Sequence, residues 1–146
     1  MGRTSLMERI IAKGQLVPLV FMQDAVAASQ TDTQLLIAEV ASAASNAVDG
    51  YVMPFEGEIV AVSTRLSAAA TAGTLTVGAT VDGTEAAASA VAMTTGQSGR
   101  TRIPRGTVTF PAGALIGAEI TTNAGWDGTS ADLAAVVWVI LHMDGI

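Results

Sequence analysis

The chain contains no cysteine and a single histidine, His142. Disulfide frameworks, thiolate zinc sites and cysteine nucleophiles are excluded, and a His-rich metal centre has no ligands. Charge is also scarce. Asp, Glu, Lys and Arg make up 14% of the residues and aromatics 4%. Thirteen acidic against seven basic residues leave a net charge of −6. Sequence-independent nucleic-acid binding needs Lys and Arg to neutralise phosphates, so this balance argues against it. No apolar run approaches the roughly 20 residues of a membrane-spanning helix. These absences remove most enzyme chemistry and leave a scaffold suited to contact.

What is present is enough for one domain in 146 residues. Half of the chain is apolar and 27 residues are Ala. Leu, Ile, Val and Phe together supply about a quarter, above the rough one-fifth below which chains stay disordered. A buried core is within reach, built largely from small side chains.

The amino terminus differs from the rest. Arg3, Glu8, Arg9 and Lys13 crowd charge into the first 13 residues, and Leu16, Val17, Leu19, Val20, Phe21 and Met22 follow as an apolar stretch broken by Pro18. With Ala25-Val26-Ala27 behind it, this has the outline of a secretory signal, but the polar lead and the proline fit that poorly. The expectation is an extended arm over residues 1–30, held down by another chain, ahead of a β domain over 31–146. Between Asp32 and Val48 two conformations compete. Asp32 could cap an alanine-rich helix; the strand-rich sequence downstream favours a strand over 34–40 and a loop over 41–46.

From Tyr51 onward the pattern is that of strands. Glu58 to Leu66 alternates, with Val60, Val62 and Leu66 expected on one face. Thr74 to Val81 sets Leu75, Val77, Ala79 and Val81 against Thr74, Thr76, Gly78 and Thr80. Asp82-Gly83 suits a two-residue hairpin, whose turn positions need positive φ, and a return strand is expected from Thr84 to Met93. Val108 and Phe110 precede a Pro111-Ala112-Gly113 turn, and Leu115 to Thr122 returns. Leu133 to His142 is apolar on both faces, so both should be covered, either by a second sheet and a partner or at a subunit seam. Short strands punctuated by turns indicate an all-β fold, a single β-sandwich of jelly-roll type.

Reactive constellations are weak. Gly96-Gln97-Ser98-Gly99 lacks the spacing of a nucleophile elbow, and His142 is its only possible base. Asp127 and Asp132 match no calcium loop and read better as turn residues. Glu56 and Glu58 could pair as acid and base, but two exposed acids beside Gly57 are the simpler reading. Tyr51 and Trp126 could stack on sugars, although Trp126 in its turn-rich loop reads better as an anchor folded onto the sandwich. Arg100, Arg102 and Arg105 are the densest cationic feature. They suit bidentate contacts to a neighbour's carboxylates, or they protect a strand edge from aggregation.

The run Tyr51-Val52-Met53-Pro54-Phe55-Glu56-Gly57-Glu58-Ile59-Val60, followed by Ala72-Gly73-Thr74-Leu75-Thr76-Val77, resembles the β-sandwich domains of tailed-phage capsid decoration (head auxiliary) proteins and head fibres. Phe110-Pro111-Ala112-Gly113-Ala114-Leu115-Ile116-Gly117 and the stretch from Ala124-Gly125-Trp126 to Asp132-Leu133 extend the similarity, which spans about Val48 to Leu141. The resemblance implies a non-enzymatic structural protein, without cofactor or metal, on the outer surface of a virion capsid. It implies the major capsid protein and further copies of itself, as a homotrimer, as partners, and neither nucleic acid nor membrane. Leu16 to Met22 would then be the apolar anchor of an arm, and removal of residues 1–22 would leave a folded body that no longer binds capsids. A head-fibre or tail module that binds a cell-surface glycan is the alternative.

Overall fold

The computed structural model describes residues 14–39 and 48–143. The described chain is all-β. Eleven strands form two antiparallel sheets packed face to face. The first sheet contains β1 (Gln15–Gln23), β4 (Gly57–Ala70), β8 (Gly96–Arg102), β9 (Thr109–Phe110) and β11 (Leu133–Leu141). Its order is β1-β11-β4-β8, with β9 also paired to β4. The second contains β2 (Thr33–Gln34), β3 (Gly50–Val52), β5 (Leu75–Val81), β6 (Thr84–Glu85), β7 (Val91–Met93) and β10 (Leu115–Thr122). Its order is β2-β10-β5-β6, with β3 on β10 and β7 on β5. When the short neighbours β2/β3, β6/β7 and β8/β9 are merged, the connectivity is that of an eight-stranded jelly roll.

The alternating strands fold as their patterns dictate. Leu75, Val77 and Ala79 of β5 and Ile116, Ala118 and Ile120 of β10 point inward and are fully buried. They meet Ile59, Val62 and Leu66 of β4 and Leu133, Ala135, Val137 and Val139 of β11. Asp82 (φ 50°) and Gly83 (φ 79°) both take positive φ, and Val81 pairs with Thr84, as the hairpin requires.

Four expectations need correction. The strand from Thr84 to Met93 is interrupted by a 3₁₀ turn over Ala87–Ser89. The cause is Ser89, whose hydroxyl accepts from the Ala79 N–H at 2.7 Å and donates to the Ala86 carbonyl at 2.6 Å, taking the place of a ladder partner. In β4, Ile59 rather than Val60 joins the core. Trp138 pairs with Ala61 but Val139 pairs with Ile59, so Val60 is the extra residue of a bulge that flips the alternation. The strand expected over 34–40 is reduced to β2 and a bridge from Leu36 to Met22, and positions 40–47 lie outside the described residues.

The largest correction concerns the arm. Residues 15–23 are β1, paired along their whole length with β11 from Gln15↔Leu141 to Gln23↔Leu133. Phe21 is 0% exposed and stacks edge-on against Tyr51 at 5.5 Å. The domain therefore begins well before residue 31. Residues 24–30 of the expected arm follow β1 as a loop that buries Val26, and residues 1–13 lie outside the described residues. The apolar stretch was ambiguous because an arm that needs a partner and an edge strand that needs a sheet have the same composition. Pro18 fits the strand because an edge position leaves its missing N–H without a ladder partner to deprive.

Loop 123–128 is closed by its own side chains. The Trp126 indole donates to the Val26 carbonyl at 3.1 Å, and Asn123 Oδ1 accepts from the Thr74 N–H at 3.0 Å. Gly73 makes this possible. At φ 84°, a Cβ there would lie 2.3 Å from the Trp126 backbone. Gly73→Ala is expected to lower stability by about 2 kcal/mol or more, read as a fall of several degrees in thermal midpoint.

Candidate docking surface

The two sheets present opposite faces to solvent, and these differ in chemistry. Residues paired across strands share a face, so the register defines the outer face of the first sheet. Because Leu19, Phe21 and Val137 point inward, β1 turns Leu16, Pro18, Val20 and Met22 outward. Strand β11 likewise turns out Ala134, Val136, Trp138 and Ile140. Every outward residue of these two strands is apolar. Leu16 is 54% exposed, Val20 36%, and Val136, Trp138 and Ile140 are half-buried. The Trp138 indole donates to Ser63 Oγ at 3.1 Å, which lays the ring across toward β4. A shallow depression of about 490 Å³ runs there between Leu16, Val60, Ala61, Trp138, Arg100 and Arg102.

The arginines flank this apolar field. Arg65 pairs across with Ala134 and Ser98, Arg100 with Ser63, and Arg102 with Ala61, so all three guanidinium groups leave the same face. Among the described residues none of them makes an ion pair. The structure thus brings Leu16, Val20 and Met22 together with Arg100 and Arg102, and takes Val17, Leu19 and Phe21 away into the interior. The apolar anchor is halved by the strand period of two. Strand β8 is also a sheet edge, so the aggregation-blocking role suits Arg100 and Arg102 as well.

Arg105 belongs to a different site. It pairs with Glu58, whose other oxygen accepts from the Gly106 N–H at 2.5 Å, while His142 Nε2 lies 3.4 Å away. Glu58 is 3% exposed and not the surface acid suggested by its place beside Gly57. Burial alone would push its carboxyl upward. The Gly106 N–H and the Arg105 guanidinium outweigh this and hold it below the ordinary value. The cluster ties the loop between β8 and β9 down on β4. Arg105, Gly106 and His142 all lie 47 or more residues from Glu58 in sequence, so no local motif announces it.

The outer face of the second sheet is polar. Gln34 Nε2 donates to Glu119 at 2.9 Å, and Glu85 lies across Gly78, where a Cβ would meet its Oε1 at 2.5 Å. Burial pushes the Glu119 carboxyl up, and the nearby charges of Asp32 and Glu85 push it further.

The reactive alternatives do not assemble. Ser98 lies cross-strand from Arg65, whereas His142 faces Glu58 at the other end of β4. Glu56 is exposed before β4 begins, and Glu58 is occupied. Asp127 accepts from the Thr71 N–H and hydroxyl at 3.0 and 2.5 Å, and Asp132 accepts from the Ala25 N–H at 3.1 Å. Among the described residues no group of three or more His, Asp or Glu side chains could hold a metal, and no helix is long and apolar enough to cross a membrane. Trp126 is 3% exposed, and the Tyr51 hydroxyl donates to the Val20 carbonyl at 3.3 Å. Both aromatics of the expected sugar platform are therefore engaged in the fold. No protein-family model matches the chain, and no curated protein matches it.

Proposed function

We propose that this chain is a structural virion protein that binds the outer surface of a tailed-phage capsid and cements the major capsid protein shell. The observation that carries this reading is the apolar outer face of the first sheet. A closed sandwich has already buried Phe21, Leu66 and Val137 between its sheets. It has no folding reason to present Leu16, Val20, Val136, Trp138 and Ile140 side by side on the outside. Contiguous exposed apolar surface of this kind marks a contact with another protein. Function by contact fits a chain without cysteine and with one histidine, and the jelly roll is an architecture used by viral capsid proteins. The resemblance over Val48 to Leu141 names the partner. Each large side chain newly buried contributes on the order of 1.5–3 kcal/mol before ordering costs, and repetition over a shell multiplies weak contacts into firm attachment.

Co-sedimentation with DNA-free shells of the cognate major capsid protein tests this. The wild-type chain is expected to pellet with the shells, and Trp138→Asp, which alters a half-exposed position, is expected to stay in the supernatant while keeping its fold. Failure of the wild-type chain to pellet, or equal pelleting of the variant, counts against the reading.

A further inference from the structure

The first sheet has two edges, and they are finished differently. Along β1 the edge is blunted by the chain itself. Pro18 has no N–H to offer, the Val20 carbonyl accepts from the Tyr51 hydroxyl at 3.3 Å, and Met22 exchanges two backbone hydrogen bonds with Leu36 at 2.7 and 3.1 Å. Along β8 the edge is open. The Ile103 N–H donates to the Val60 carbonyl at 2.8 Å. The same register continues into β8 as Arg102↔Ala61, Thr101↔Val62 and Gly99↔Thr64. Bonded pairs alternate in an antiparallel ladder, so Gly99 and Thr101 turn their peptide groups toward β4. Ser98, Arg100 and Arg102 turn theirs away from the sheet. Among the described residues nothing takes these groups up, because β8 ends the strand order and no turn or loop bonds to them. The second sheet ends in strands of two or three residues (β2, β3, β6 and β7). Strand β8 is therefore the longest open edge among the described residues.

The underside of this edge is open too. Thr101 pairs with the fully buried Val62, so it faces the second sheet, yet it is only half-buried. On the upper side Arg100 and Arg102 are exposed and, among the described residues, carry no ion pair. Unpaired peptide groups between an uncovered underside and a cationic upper side are what an added strand completes. The charges decide which strand. An antiparallel pairing of β8 with its own copy would set arginine against arginine. Residues 1–13 carry Arg3, Arg9 and Lys13 against Glu8 and meet the same repulsion. A strand with a carboxylate at every second residue instead places one opposite each guanidinium, where a bidentate contact is available.

We propose that the β8 edge takes up an extended acidic segment of the major capsid protein as an additional antiparallel strand, its carboxylates alternating outward over Arg100 and Arg102. This deepens the capsid reading and rests on it for the source of the segment. Main-chain bonds supply the attachment, and the alternate side chains supply the selection. The open groups from Ser98 to Arg102 span about 14 Å of strand, which roughly five partner residues match.

Amide hydrogen exchange on the full chain, followed residue by residue by NMR, provides the test. In the free protein the Ser98, Arg100 and Arg102 amides are expected to exchange at least about tenfold faster than those of Gly99 and Thr101. The probe is a short synthetic peptide that alternates Glu with Val. At millimolar concentration it should slow exchange at the three open amides by roughly threefold or more and leave β1 unchanged. The same peptide, N-methylated on the amides that would face β8, keeps its charge and should lose the effect, which separates strand addition from charge attraction. A peptide with Lys for Glu should bind the wild-type chain at least about tenfold more weakly, and Arg100→Glu with Arg102→Glu should reverse that preference. Both positions are exposed, and circular dichroism establishes that the variant is folded; Arg100→Gln with Arg102→Gln, which adds no charge, should abolish the preference without reversing it. Open amides already protected in the free chain overturn the inference. So does an absence of protection by the Glu peptide, equal protection by its N-methylated form, or a preference that survives the charge reversal. Capsid binding is read separately by co-sedimentation. A chain that pellets with shells while its β8 amides stay open overturns strand addition alone. A chain that takes up the peptide along β8 but ignores shells overturns the capsid reading, and with it the source of the segment, but not strand addition.

Discussion

Deletion of residues 1–22 will unfold the protein. An arm could be removed without cost to the body, but β1 is a sheet strand over its full length. Its loss strips β11 of one neighbour and uncovers the core beneath Phe21, which is 0% exposed and packs on Tyr51. Point variants separate the two views without truncation. Phe21→Ala is expected to cost about 3–5 kcal/mol, the range for removal of a large buried aromatic ring. Its neighbour Val20 points outward, and Val20→Ser should change stability by only about 0.5 kcal/mol. Urea denaturation of the two variants reads the difference directly. Equal and small effects would restore the arm. The practical consequence is that truncation cannot test capsid attachment, because it confounds docking with folding; a surface change such as Trp138→Asp can.

The second large effect belongs to Glu58. Arg105→Ala leaves a carboxylate with 4% side-chain exposure facing only the Gly106 N–H and His142. Arg105 itself is 53% exposed, so water screens part of the loss. The expected cost at pH 7 is about 1–2 kcal/mol. Its pH dependence has a definite sign. The Glu58 carboxyl is held below its ordinary value of 4.5 in the folded chain. Its ionised form is therefore the one the fold favours. That contribution is complete above the unfolded value and drains away as pH falls through the lower folded value. The gap between wild type and Arg105→Ala should be constant around neutrality and shrink in acid. A gap that widens below pH 4 would show that the Glu58 carboxyl is not stabilised as an anion.

Several elements were legible from local pattern. The β5–β6 hairpin follows from alternation plus Asp82-Gly83, because both the strand period and the positive φ are local properties. Strand β10 occupies Leu115–Thr122 as its sequence indicates. The two-sided apolar pattern of β11 is legible too: one face is core, and the other carries Val136, Trp138 and Ile140. Trp126 reads as a loop anchor and is one. What local pattern missed were features made by distant partners. The Val60 bulge appears only when β4 is laid against β11. Ser89 breaks its strand only because Ala79 is opposite. Glu58, Arg105 and His142 meet only after β4, the β8–β9 loop and the end of β11 have been placed.

By itself the sequence determined that the chain is all-β, that it does no cysteine- or histidine-rich chemistry, and that more apolar surface exists than one sheet face can bury. Composition and a two-residue period carry that information, since each depends only on neighbouring residues. Tertiary structure alone decided which half of the stretch from Leu16 to Met22 is interior and which faces outward. It alone set Arg65, Arg100 and Arg102 on the same face as that outward half, while Arg105 went to Glu58. Register across strands assigns faces, and register is a relation between segments that no single segment contains.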